Sequence, residues 1–302
     1  MDTHTFWTTV GLIATALLIL APLAHRALGG PGLERARLHV AGALAVLSFA
    51  VDAGVVAAVM TLPWLVLGLL LAWQALRATG VAAVLRHPSA AVHGSLATFT
   101  WMAAGGAWLT AHRLGLEPLG FDRAITLLTV AHFHVAGMGL TALLGVTHRR
   151  RPSTTSLVVL WLHQAGMLTV AAGLTVSDHL EVVGAATVTL ALAIWAAVVV
   201  SWIRRDVQGT TRTLLAIAVV AWILPMALAL GWALGPFLPE PVVTTFATML
   251  RYHATLQTFG LVLCGLLGLV LAGETSDTVR ADPATTHTPK EAHDDVAHQT
   301  HP

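Results

Sequence analysis

The sequence predicts an all-α, polytopic bundle of about nine transmembrane helices, and three observations lead there. Hydrophobic residues make up 56% of the chain and charged residues only 10%, against about 25% charged in a soluble domain. Apolar runs of about 20 residues recur along most of the length, which is what a helix needs to cross a ~30 Å hydrocarbon layer. Basic residues fall on alternate connections between those runs, the pattern of the positive-inside rule.

The runs lie at roughly 6–24, 38–60, 63–84, 91–112, 124–146, 155–176, 182–202, 213–234 and 250–272. Only T-L-P-W, residues 61–64, divides the second from the third, and Pro63 marks the break expected there. A variant of this reading ends the third run near Leu76 and continues as an interfacial helix to Arg86. Eleven arginines, from Arg26 to Arg212, sit on one set of connections, and three, Arg113, Arg123 and Arg251, on the other. This bias places the N-terminus outside and the C-terminus in the cytoplasm, in a bacterial plasma (inner) membrane, with the lipid bilayer as the expected partner. The start, M-D-T-H-T-F-W, lacks a basic n-region, so no cleavable signal peptide is expected.

Residues 1–272 are then the transmembrane domain and 273–302 a polar, proline-containing tail expected to be disordered. His287, His293, His298 and His301 of the tail are loose metal-ligand candidates, although a solvated tail is the plainer reading. Ten tryptophans occur; Trp7, Trp64, Trp108, Trp202 and Trp232 fall near run ends and read as interfacial anchors. The lone Cys264 excludes an internal disulfide and a cysteine-based metal site. With no nucleotide loop, nucleophile elbow or zinc-protease motif, no residue is assigned a catalytic role, and nothing points to nucleic acid.

The functional signal is T-V-A-H-F-H-V-A-G, residues 129–137. His132 lies nine residues after Arg123, roughly 14 Å along a helix, so His132 and His134 fall near the membrane midplane. His163, twelve residues after Arg151, falls at a similar depth. Polar groups there are costly unless paired, which makes them functional candidates; an interhelical hydrogen bond that only ties the bundle together is the alternative. Residues two apart are about 200° apart on a helix. The two rings thus point to nearly opposite faces and cannot share one metal; they serve two sites, or one serves a site and the other bonds a neighbouring helix.

Two resemblances follow from these residues. A-H-F-H-V-A-G-M-G, residues 131–139, resembles the haem-bearing helix of haem–copper oxidase subunit I, which implies axial haem ligation by His132 and His134. The chain has no H-P-E-V-Y-like segment and no His-His pair for copper, so a terminal oxidase is not expected. More broadly, residues 111–137, ending L-G-F-D-R-A-I-T-L-L-T-V-A-H-F-H-V-A-G, are similar to the YndJ-like bacterial membrane family. R-Y-H-A-T-L-Q-T-F-G, residues 251–260, resembles that family's later His-bearing helix, with Gln257 near where an Asn is expected.

Other polar residues add a second possibility. Asp52 is expected within the second run, in its outer half; His112, Arg251 and His253 are expected at outer ends, so the four are candidates to line one outward-facing cavity. His39 and His93 read as interfacial. H-G-S-L-A-T-F, residues 93–99, echoes H-A-T-L-Q-T-F, residues 253–259, at four of seven positions, a hint of the inverted repeats found in transporters. Two functions are therefore carried forward. One is haem b or transition-metal binding for redox or gas handling, with His132 and His134 as ligands and His163, His253 or His93 opposite. The other is proton-coupled transport of a small molecule through the midplane histidines and Asp52.

Overall fold

The structure, a computed structural model, describes residues 1–80, 90–243 and 245–281, with side chains outside that description at 79, 90–93, 246 and 274–281. Among the described residues the chain forms nine long helices. They are α1 (Thr3–Ala27), α2 (Gly32–Leu47), α3 (Val55–Thr79), α4 (Ala90–Leu114), α5 (Arg123–Arg150), α6 (Thr154–Val176), α7 (Asp178–Asp206), α8 (Gly209–Ala233) and α9 (Met249–Gly273). Seven of them are long and apolar enough to cross a membrane. Of the other two, α2 has only 16 residues, and α4 interrupts its apolar run with Thr98, Thr100, Gly105, Gly106 and Thr110. The helical membrane bundle expected from composition is therefore what forms. The last helix continues to Ala281; residues 282–302, and with them most of the expected tail, lie outside the described residues.

One boundary differs from expectation. The break between α2 and α3 lies at residues 48–54, not at T-L-P-W. Its cause is a contact that is distant in sequence. Arg113 at the end of α4 donates to the carbonyls of Ser48 at 2.9 Å and Val51 at 2.6 Å. The Gly54 amide in turn donates to the Arg113 carbonyl at 2.6 Å. These bonds satisfy backbone groups that a helix end would leave unpaired. Pro63 and Trp64 sit inside α3 instead, and Trp64 is fully buried rather than interfacial. Asp52 is consequently placed in the connection, exposed, and not within a span.

Local chemistry fixes several helix starts. Asp2 accepts from the Thr5 amide at 2.8 Å, Asp122 from the Ile125 amide at 2.8 Å, and Ser153 and Ser156 cap α6 reciprocally. The Thr5 bonds hold the Asp2 carboxyl below the usual carboxylate range.

Contacts between connections show that successive helices run in opposite directions. At one end Arg149 donates to the carbonyls of Ala27 and Leu28, and Arg151 pairs with Asp206. At the other end Phe6 meets Phe49 at 6.3 Å, Trp108 meets Phe121 at 6.2 Å and His179 meets Phe237 at 4.7 Å. The first will be called the arginine end and the second the aromatic end.

α5 is the most enclosed span. Its middle, Phe133–Gly139, is wound as a π-helix, as are Ala16–Leu20 of α1 and Leu256–Leu263 of α9. The three widened segments meet one another. At their junction a Cβ on Gly139 would come within 2.8 Å of Val262 and 3.7 Å of Leu20. Such i→i+5 segments are rare and concentrate at functional sites.

α6 and α7 form a hairpin joined through Ser177 alone. Their backbones touch at Gly184, where a Cβ would lie 2.5 Å from the Val170 amide nitrogen. Close approach through small residues is how helices associate in lipid, where no hydrophobic force drives them together. Gly184→Ala is accordingly expected to cost about 2 kcal/mol through overpacking, read as a lowered Tm in mild detergent. Gly11→Ala, where a Cβ would meet nothing within 4 Å, should leave Tm unchanged, and equal Tm values for the two variants would refute the close packing.

Candidate functional site

The two histidines of the H-F-H segment occupy opposite faces of α5 and have different lives. His134 is fully buried. Trp64 of α3 donates its indole N–H to His134 Nε2 at 2.9 Å, and His134 Nδ1 lies 2.8 Å from the Val130 carbonyl. An indole only donates and a carbonyl only accepts, so the ring is neutral with its proton on Nδ1. Gly105 of α4 makes room for it, since a Cβ there would overlap the ring. Both nitrogens are used, so His134 has no lone pair left for a metal or haem iron. Its observed work is to tie α3 and α4 to α5.

His132 faces the other way, onto a cavity of about 460 Å³ walled by α1 and α4–α9. Its lining starts at the aromatic end, with Leu119, Phe121, Thr175, Glu181 and Trp232, and runs inward to Ala136, Met167, Val188 and Gln257. Below that depth the closely packed π segments close the bundle, with Leu261 and Val262 fully buried. At the mouth, Leu119 holds a left-handed backbone conformation, φ 59°, which a branched residue adopts only under constraint. Most of the wall is apolar. Such a shape, with a few convergent polar groups, is that of a small-molecule site.

His253 of α9 lines the same cavity. Its Nδ1 lies 2.7 Å from the Pro225 carbonyl of α8, so Nδ1–H donates there and Nε2 is left as an acceptor. His132 makes no hydrogen bond within the described residues and lies within electrostatic range of His253. Gln257, one helical turn on from His253, is only 4% exposed and also lines the cavity. Among the described residues, Glu181, in the first turn of α7 and half-buried, supplies the lining's only carboxylate, and no lysine or arginine lines the cavity.

The remaining sequence candidates fall elsewhere. His163 is fully buried with both ring nitrogens unpaired; it lies close enough to the Ala136 carbonyl and to His132 to feel both, but does not line the cavity. His112 is buried with both nitrogens unpaired, and its ring centroid lies 6.2 Å from that of Phe49. Neither Asp52 nor Arg251, both exposed, joins the cavity. The expected quartet of Asp52, His112, Arg251 and His253 is thus not assembled. The His93 side chain lies outside the described residues. Among the described residues, no group of three or more His, Cys, Asp or Glu is placed to hold a metal ion.

Glu181 and Gln257 were not singled out from the sequence as site residues. An acid in the first turn of a helix, here beside Asp178, reads as an interfacial residue, and an amide in a membrane span gives no sign of which neighbour it faces. The signal for Gln257 was its spacing, four residues from His253 and therefore on the same helix face.

A family model described as YndJ-like protein matches residues 11–261. The uncharacterized membrane protein YndJ of Bacillus subtilis (strain 168) is 29% identical over 171 residues, covering 56% of this chain and 31% of that protein. The chain thus spans about a third of the length of the curated relative it matches. No solved structure matches. Neither match is to a haem–copper oxidase.

Trp64→Phe is expected to leave His134 Nε2 buried and unpaired, at a cost of about 2 kcal/mol, measured by thermal unfolding in mild detergent. Trp7→Phe, at a residue 55% exposed, should cost little. A Trp64 variant as stable as the Trp7 variant would show that the His134 contact is dispensable.

Proposed function

The chain belongs to the YndJ-like protein family, and from that premise we propose that it is a multi-pass bacterial plasma-membrane protein that binds and carries a small, mainly apolar molecule. The observation that carries this reading is the cavity itself. It runs from the aromatic end to the middle of the bundle and stops at the junction of three π-helical segments. A carrier open to one side presents such a site, with binding near the midplane and irregular helices around it. His132, His253 and Gln257 supply the polar contacts that orient the molecule. Asp52 has no part in it.

A second reading, haem binding, is favoured by His253. A metal-ligating imidazole usually donates its other N–H to a backbone carbonyl or carboxylate, and His253 does so to Pro225. The pair available to an iron is then His132 and His253, with His134 excluded by its hydrogen bonds.

Two measurements separate these readings. An absorption spectrum of the protein purified in mild detergent should show no Soret band under carriage; a band lost in both His132→Ala and His253→Ala and kept in His134→Ala would replace carriage by haem binding. Native mass spectrometry should find a small molecule bound to the protein and released by the cavity-filling change Ala171→Trp. Retention of the same mass by the filled variant, or its absence from the native protein, would overturn the cavity as a binding site.

A further inference from the structure

The cavity carries an unbalanced charge. Glu181 lines it at the mouth, and the described structure gives its carboxylate no hydrogen bond and no ion pair; the neighbour it senses electrostatically is another acid, Asp178. Among the described residues no lysine or arginine lines the cavity. A half-buried carboxylate without a partner is costly, and the cost is removed by a cation brought from outside.

The wall of the same cavity suits an organic cation rather than a metal ion or a hydrated one. Phe121, Trp108 and Phe133 line the cavity in a row, with centroids 6.2 Å apart between Trp108 and Phe121 and 6.0 Å apart between Trp108 and Phe133. Aromatic faces attract a positive charge within about 6 Å, most strongly when water is excluded. Deeper in, the lining becomes aliphatic, with Met167, Val170 and Val188, and accepts an apolar body. The unpaired polar atoms there are consistent with the same guest. His253 Nε2 is an acceptor, since Nδ1–H is committed to Pro225, and the Gln257 amide, 4% exposed, has no hydrogen bond to the described protein. Arg251, two residues from His253, is exposed and does not line the cavity, and no ion pair joins it to Glu181 among the described residues.

We propose that the molecule bound in this cavity is a lipophilic organic cation, its charge held between the Glu181 carboxylate and the Phe121–Trp108–Phe133 row and its apolar body lodged among the aliphatic residues below. This deepens the carrier reading and rests on it.

Tetraphenylphosphonium and tetraphenylborate provide the test, because they share shape and size and differ in sign. Binding of each to the purified full chain is measured by equilibrium dialysis in a non-ionic detergent. Tetraphenylphosphonium should bind at least about tenfold more tightly than tetraphenylborate. Glu181→Gln should lower its affinity about tenfold, near 1.4 kcal/mol, and remove the preference for the cation, with Tm unchanged. Asp52→Asn, outside the cavity, should change neither. Equal binding of the two ions, tighter binding of the borate, or an unaltered preference in Glu181→Gln would overturn the cationic assignment while leaving the cavity as a site for another molecule. Failure of both ions to bind, together with no small molecule retained by the native protein, would remove the carrier reading as well.

Discussion

A polar group buried among hydrocarbon is costly unless paired, and the bundle sorts most of its polar side chains by that cost, with His112 and His163 left buried and unpaired away from the cavity. Where a partner exists, the group becomes part of the scaffold. Trp64 bonds His134, Trp101 bonds Gln164 and Gln164 bonds Thr141, and Trp195 bonds Thr147. In each case a neutral donor from one helix finishes an acceptor on another, at a contact where apolar packing alone would not fix the register. Where no partner exists and space does, as at His132, Gln257 and Glu181, the groups gather on one cavity. The division between scaffold and site follows from which face of a helix has a neighbour.

The backbone is divided in a similar way. Three helices, α1, α5 and α9, widen into π segments where they meet. A π segment inserts an extra residue per turn and shifts the side chains that follow it relative to a regular helix. In α5 this segment begins immediately after His132, so the helix reaches the cavity in one register and leaves it in another. The junction is dense, with Leu20, Leu261 and Val262 fully buried, and it separates the cavity from the arginine end. The mouth is built differently, from a short loop with Leu119 in a left-handed conformation and from helix ends.

Much of the bundle was legible in the sequence because length and hydropathy are local properties. Six of the seven helices long enough and apolar enough to span lie within a few residues of their expected bounds, as does α4, and the opposite orientation of His132 and His134 followed from helix geometry alone. What was not legible depends on contacts between distant residues. T-L-P-W looked like a boundary because proline disfavours a helix interior, but the actual break is set by Arg113, more than sixty residues away. The same misplaced boundary put Trp64 at the membrane surface and Asp52 inside a span. The cavity was half visible. His132 and His253 stand out as imidazoles in apolar runs, while Glu181 gains its meaning only from being left without a cation, which no spacing reveals.

The bonds from Arg149 to the ends of α1 carry a consequence for how the chain is made. The carbonyls of Ala27 and Leu28 are joined to a side chain that leaves the ribosome more than 120 residues later. The first span therefore enters the bilayer with its exit unfinished, and the fifth span completes it. Insertion order and final architecture are thereby linked: the helix synthesised first receives this anchor only once the fifth has been made, and a nascent chain halted before residue 149 leaves that anchor undone.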